Sequence, residues 1–241
     1  MEEPLLGGAV SGPVRVGDTV RRPRACEAVH RVLRHLERVG FDGAPRLIGS
    51  DDQGRDILSF VPGEVMFGPS LTEAAVDSAA RLIRRFHEAV AGLAVDGYEA
   101  PINICACEAT RCVHRVVCHN DLSPRNTIFR DGEAVVLIDW DFVGMGPPLW
   151  DVAHAVWQFV LTDGPASVEP ARRLDVFADA YSLSAYERDA LLPAVVTRML
   201  ASADGIDRRA AAGEPAFVRL AGQGVPETIR AHADWVARWT P

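Results

Sequence analysis

Within eight residues, His119-Asn120-Asp121-Leu122-Ser123-Pro124-Arg125-Asn126 offers an imidazole, a carboxylate and an amide. Ile138-Asp139-Trp140-Asp141 then adds two carboxylates, with Asp139 thirteen positions after Asn126. These groups suit transfer of a phosphoryl group from a nucleotide to a hydroxyl. That reaction needs a carboxylate to orient the hydroxyl and take its proton, and oxygen ligands to hold a divalent cation on the phosphates. Asp121 is the expected catalytic base. Asn126 and Asp139 are the expected ligands of Mg2+, which favours oxygen donors and keeps several waters, so that two protein ligands and the phosphates suffice. Asp141 has two readings of equal weight, a second-metal ligand or an acceptor for loop backbone.

Local sequence explains how these groups meet. Asn126-Thr127-Ile128-Phe129 and Ala134-Val135-Val136-Leu137-Ile138 read as strands. Between them stands Arg130-Asp131-Gly132-Glu133, whose Asp-Gly pair favours a tight hairpin turn. Folding back there returns Asn126 and Asp139 to one open end of the hairpin, which the loop bearing Asp121 feeds. The competing reading, a polar loop before an ordinary hairpin, leaves the second acid at the far end unexplained.

Val117 to Asn126, Ile138-Asp139-Trp140-Asp141 and Gly146-Pro147-Pro148-Leu149-Trp150-Asp151 together resemble the aminoglycoside phosphotransferase family. More broadly they are similar to the small-molecule kinases with a protein-kinase-like fold, choline and homoserine kinases among them. Weaker similarity extends to Val20-Arg21-Arg22-Pro23, Leu58 to Glu64 and Leu82 to His87. The resemblance implies an α+β, two-lobed architecture, with a small antiparallel sheet lobe before a larger helical lobe. It also implies supporting roles for His119, which braces the catalytic loop without moving protons, and for Asp151, which holds that loop from the following helix.

The nucleotide site is less legible. Gly7-Gly8-Ala9-Val10-Ser11-Gly12 lies between strand-like segments, and Gly8 and Ser11 are the expected phosphate-facing backbone positions. The family's phosphate-contacting lysine belongs on the strand at Thr19 to Arg22, but the chain has no lysine: all 25 basic residues are arginine. Arg21 is the first candidate to take its place and Arg22 the second, because strand alternation points only one of them into the cleft. Glu27 or Val29 occupies the position that would face that arginine. The expected donor is ATP or GTP and the expected acceptor a small hydroxylated molecule, and a net charge of −8 is compatible with a cationic substrate. The alternative function is a catalytically impaired pseudo-kinase that binds nucleotide or ligand. Loss of the lysine favours it; retention of Asp121, Asn126 and Asp139 opposes it.

Composition sets the outer bounds. With 241 residues, 48% of them hydrophobic, the chain can bury a sizeable core. The acidic balance disfavours a nucleic-acid reader, which carries a basic footprint. Met1-Glu2-Glu3-Pro4 lacks the basic and apolar run of a signal peptide, and no apolar stretch is long enough for a bilayer, so a cytoplasmic protein without membrane contact is expected. Five cysteines read as reduced thiols; Cys105, Cys107 and Cys112 near His114 lack the usual paired zinc spacing.

Residues 1–62 are expected to form the nucleotide-binding lobe: strands at 14–16 and 19–22, a helix over 28–36, and strands at 46–49 and 57–61. Pro62-Gly63 is the candidate hinge. Residues 63–241 follow as the helical lobe, holding the catalytic loop 119–126 and the metal segment 139–141. Its helices are expected from a capping box at Ser70-Leu71-Thr72-Glu73, over 149–161 and 172–181, from Ser184 with a kink at Pro193, and over 226–239.

Overall fold

The computed structural model describes residues 2–5, 12–66, 71–93 and 115–241. The first part is a five-stranded antiparallel sheet. Its strands are β1 (Glu3–Pro4), β2 (Val14–Val16), β3 (Thr19–Arg22), β4 (Leu47–Ser50) and β5 (Asp56–Ser59), arranged β1-β2-β3-β5-β4. Helix α1 (Glu27–Arg38) lies between β3 and β4 in the chain and buries Val29, Val32, Leu33 and Leu36 on one face, as their helical spacing requires. A buried hydrogen bond between His30 Nε2 and Asp56 Oδ2, at 2.8 Å, fastens α1 to β5.

The remainder is mostly helical. It comprises α2 (Glu73–Ala89), α3 (Pro148–Phe159), α4 (Pro170–Tyr181), α5 (Ala185–Ala211), α6 (Pro215–Gly222) and α7 (Val225–Arg238). Between α2 and α3 lie two short pairs of strands, β6 (Val116–Cys118) with β9 (Gly144–Gly146), and β7 (Thr127–Arg130) with β8 (Glu133–Leu137). Phe86 of α2, Leu137 of β8, Trp140 and Val152 of α3 belong to one buried core directly beneath the acidic segment.

Several local expectations are refined. The helix cap of α2 is Thr72, whose side chain accepts from Ala75 N, so the helix starts after Thr72 and not at the expected box. The helix expected from Ser184 starts there, through a reciprocal capping box with Glu187 that was not foreseen, and α5 continues unbroken through Pro193. Neither the β6–β9 pair nor α6 was expected; runs of three and eight residues carry too little periodicity to announce themselves.

The crossing between the two parts is anchored on its far side. Glu64 N donates to Phe129 O at 3.0 Å and Phe129 N to Glu64 O at 2.7 Å. Gly63 has φ 150°, and a Cβ there would lie 2.4 Å from Ile128 Cγ2 and 2.5 Å from Phe129 O. Only glycine lets the strand approach this closely.

Candidate active site

The hairpin turns where its sequence says it should. Asp131 and Gly132 both have positive φ, 53° and 83°, as a two-residue turn matched to strand twist demands. At the open end Ile138 N donates to Asn126 O at 2.9 Å, so Asn126 and Asp139 are brought to adjacent ladders. The Asn126 amide donates to Asp121 Oδ2 at 2.7 Å and to Asp121 O at 2.9 Å. Its nitrogen is thereby spent, leaving its oxygen as the group available to a cation.

The loop preceding Asp121 is held by buried groups. Asp151, fully buried on α3, accepts from His119 N at 2.6 Å and from Asn120 N at 2.7 Å. Its Oδ2 also lies 3.1 Å from His87 Nε2, and His87 Nδ1 lies 2.6 Å from the Tyr181 hydroxyl. Burial pushes the Asp151 carboxyl up, but His87, His119 and the backbone donor outweigh it and hold the group below the usual carboxylate range.

His119 is itself buried. Its Nε2 donates to Ile138 O at 3.1 Å and its Nδ1 accepts from Asp121 N at 3.3 Å, so both nitrogens are engaged. Burial lowers its pKa and keeps the ring neutral, which suits a brace. Asn120 has a left-handed φ of 64°, a conformation asparagine tolerates, and its amide donates to Phe142 O at 2.9 Å. His119 and Asn120 therefore tie the loop of Asp121 to the segment of Asp139.

Arg198 of α5 adds a further grip. It is buried, donates to Asn120 O at 2.7 Å and to the Ser202 hydroxyl, and has its guanidinium 5.2 Å from the centre of the Trp150 ring. Neither His87 nor Arg198 was given a site role from sequence, although His87 ends the similar segment Leu82 to His87. Each sits on a helix remote in the chain from the loop, and Arg198's only local signal is a polar residue on an apolar face.

Asp139 and Asp141 meet a single arginine. Arg22 donates to Asp141 Oδ2 and has Nη1 3.6 Å from Asp139 Oδ1. Arg21 faces the other side of β3, donating to Thr19 Oγ1 at 2.5 Å with Nε 3.8 Å from Asp51. The first candidate for the lysine's place thus points away from the acids and the second points at them. Glu27 pairs with His30 and Arg34 and takes no part, while Val29 is buried in the core. Gly8 and Ser11 lie outside the described residues, as do Cys105, Cys107, Cys112 and His114.

Burial and the neighbouring Asp141 push Asp139 up to about 6, in spite of Arg22. Asp121 moves the other way: burial raises it, but His154, His119 and Arg198 more than compensate. A divalent cation fits these residues. Asp139 and the Asn126 oxygen are hard donors, and the crowding of Asp139 by Asp141 and Asp121 is a negative charge density that a cation relieves. The buried Arg22 Nε lacks a hydrogen-bond partner, so this arginine keeps a donor for a further acceptor.

Residues 99–192 match the phosphotransferase enzyme family. The trifolitoxin immunity protein of Rhizobium leguminosarum bv. trifolii is 30% identical over 206 residues, covering 80% of this chain and 78% of that protein. The chain belongs to the phosphotransferase enzyme family. It is a phosphotransferase of the class that acts on hydroxyl or similar groups, and its fold is the two-lobed kinase-like one. Among solved structures, amicoumacin kinase hAmiN in complex with AMP-PNP, Ca2+ and Ami superposes with TM-score 0.70 at 11% identity, covering 97% of this chain and 87% of that one. Choline kinase from Cryptosporidium parvum gives 0.67 at 12%, covering 99% and 89%. Among the described residues, no helix of the phosphotransferase is long and apolar enough to cross a membrane.

Proposed function

We propose that this phosphotransferase moves the γ-phosphoryl group of ATP or GTP to a hydroxyl of a small molecule in the cytoplasm. One observation carries the reading: Asp121 is bonded to Asn126, Arg22 faces Asp139, and the backbone bond from Ile138 N to Asn126 O brings the two pairs to one end of the hairpin. Residues 1–62 form the nucleotide lobe and residues 63–241 the lobe bearing base and metal segment, with Gly8 and Ser11 covering the phosphates.

Asp121 orients the acceptor hydroxyl and takes its proton as the new bond forms. Its depressed pKa keeps it ionised and ready to accept, at the cost of some basicity. The Asn126 amide and the His119 ring fix the carboxylate and its backbone, so little reorganisation is needed at the moment of reaction. Asn126 and Asp139 hold Mg2+, which supplies charge neutralisation for the phosphate oxygens. Arg22 serves as the phosphate clamp. An arginine can span two oxygens as a fork where a lysine offers a point charge.

That hAmiN was solved with a nucleotide analogue and a divalent ion supports the same pair of ligands here. The name of the Rhizobium relative favours a protective role, in which the phosphorylated hydroxyl belongs to a toxin or antibiotic. The test is transfer of labelled γ-phosphate from ATP and from GTP, with Mg2+, across a panel of antibiotics, peptide toxins and amino alcohols. A phosphorylated product that disappears in Asp121→Asn supports the reading. Tight nucleotide binding without transfer to any acceptor would favour the pseudo-kinase.

A further inference from the structure

Helix α3 reaches the catalytic loop twice. Asp151 and His154, three residues apart and so on one helix face, both turn toward it. Asp151 binds the backbone of His119 and Asn120, as described above. His154 is buried, 6% exposed, and its Nε2 lies 3.5 Å from Asp121 Oδ1. The Trp157 ring meets the imidazole edge-on at 5.4 Å and 89°, which restricts its rotation.

A buried histidine on a helix is ordinarily satisfied by a carbonyl or hydroxyl nearby. Here neither Nδ1 nor Nε2 has a hydrogen-bond partner at normal length. Orphaned buried polar atoms are costly and uncommon in native proteins, at about 1–3 kcal/mol each. The charged group that Nε2 does approach is the carboxylate of the proposed base. Asp121 already accepts from Asn126 through Oδ2, and Oδ1 is the oxygen left on the His154 side.

We propose that His154 is a positioning residue for Asp121, donating from Nε2 to Oδ1 while Asn126 holds Oδ2. The carboxylate is then gripped through both oxygens and its rotation about the side-chain axis is removed. The 3.5 Å separation closes to a hydrogen bond as the site tightens around its substrates, a common behaviour of catalytic contacts. Burial, followed by the nearby Arg198, lowers the His154 pKa despite the attraction of Asp121, so the ring is neutral and carries one proton. A neutral ring has a single N–H, and the carboxylate beside Nε2 selects that nitrogen to bear it. This inference rests on Asp121 being the base.

Two measurements test it. Nitrogen chemical shifts of the imidazoles in the full chain report the His154 tautomer without any turnover. A neutral ring with the proton on Nε2, whose shift moves in Asp121→Ala, is expected; a proton on Nδ1 overturns the proposal. Kinetics then compare His154→Gln with His154→Asn, following ADP release from MgATP with water as acceptor. The glutamine amide reproduces the position of Nε2, and the asparagine amide that of Nδ1. His154→Asn is expected to lose at least about tenfold in kcat with KM for MgATP within about twofold, and His154→Gln to recover most of the loss. Equal losses in both variants, or losses that track a lowered Tm, overturn a positioning role. If the wild-type protein releases no nucleoside diphosphate from MgATP or MgGTP, with water or with any acceptor of the panel, the kinase reading fails, while the nitrogen shifts still decide whether His154 and Asp121 are bonded.

Discussion

The loop carrying Asp121 and the segment carrying Asp139 border the same site but are built in opposite ways. Around Asp121 the carboxylates are stabilised: Asp151 is buried with two backbone donors and His87, and both it and Asp121 sit below the usual range. Around Asp139 the carboxylate is destabilised, pushed up to about 6 by burial and by Asp141, with an arginine from the other lobe as its cationic neighbour. A base that must stay ionised and keep one orientation benefits from fixed donors. A segment that must receive a cation and phosphates benefits from unspent negative charge and from an arginine whose pairing is only partial. On the proposed mechanism the difference is one of timing: the first region would be finished on folding and the second on binding.

Substitutions at each region sharpen or break this contrast. Asp121→Asn keeps shape and removes the proton acceptor, so turnover should fall by about 10² to 10⁴ while Tm and nucleotide affinity hold. Steady-state kinetics would show it, and near wild-type kcat would remove Asp121 from the role of base. Asp139→Ala should weaken binding of magnesium-nucleotide by at least about tenfold and barely change binding of free nucleotide. Calorimetric titrations with and without Mg2+ separate the two, and equal losses would count against a metal role.

Asp151→Asn tests the prebuilt region through stability. The folded state holds this carboxyl below its unfolded value, so its stabilisation is complete above about pH 4 and fades as pH falls through the folded value. The variant should melt roughly 5–10 °C below wild type at pH 7.5, from about 2–3 kcal/mol of lost bonding. The gap should narrow in acid as the wild-type group protonates. A gap that stays constant down to pH 3 would place the stabilisation elsewhere.

Arg22→Ala gives the smallest effect and the finest discrimination. It should cost about tenfold in kcat/KM for nucleotide, or roughly 1.4 kcal/mol, while Arg21→Ala stays within about twofold. The reverse order would mean that the phosphates are gripped from the opposite face of β3.

Much of the site was legible in sequence because its parts are close in the chain. Asp131-Gly132 defines the turn, the alternating runs on either side define the strands, and together these bring Asn126 to Asp139 without help from elsewhere. The helical face of α1 and the helix start at Ser184 are equally local, since each follows from spacing and hydrogen-bonding capacity within a few residues. Tertiary structure alone decided the rest. Alternation says that Arg21 and Arg22 point to opposite faces of β3, but which face meets the acids depends on how the sheet lies against the loop segment. Glu27 is exposed beside Arg34 for the same reason. His154 of α3 and Arg198 of α5 reach the catalytic loop, and His87 of α2 reaches Asp151, which holds that loop. Contacts between residues far apart in the chain are set by helix packing, and no local pattern of residue types encodes them.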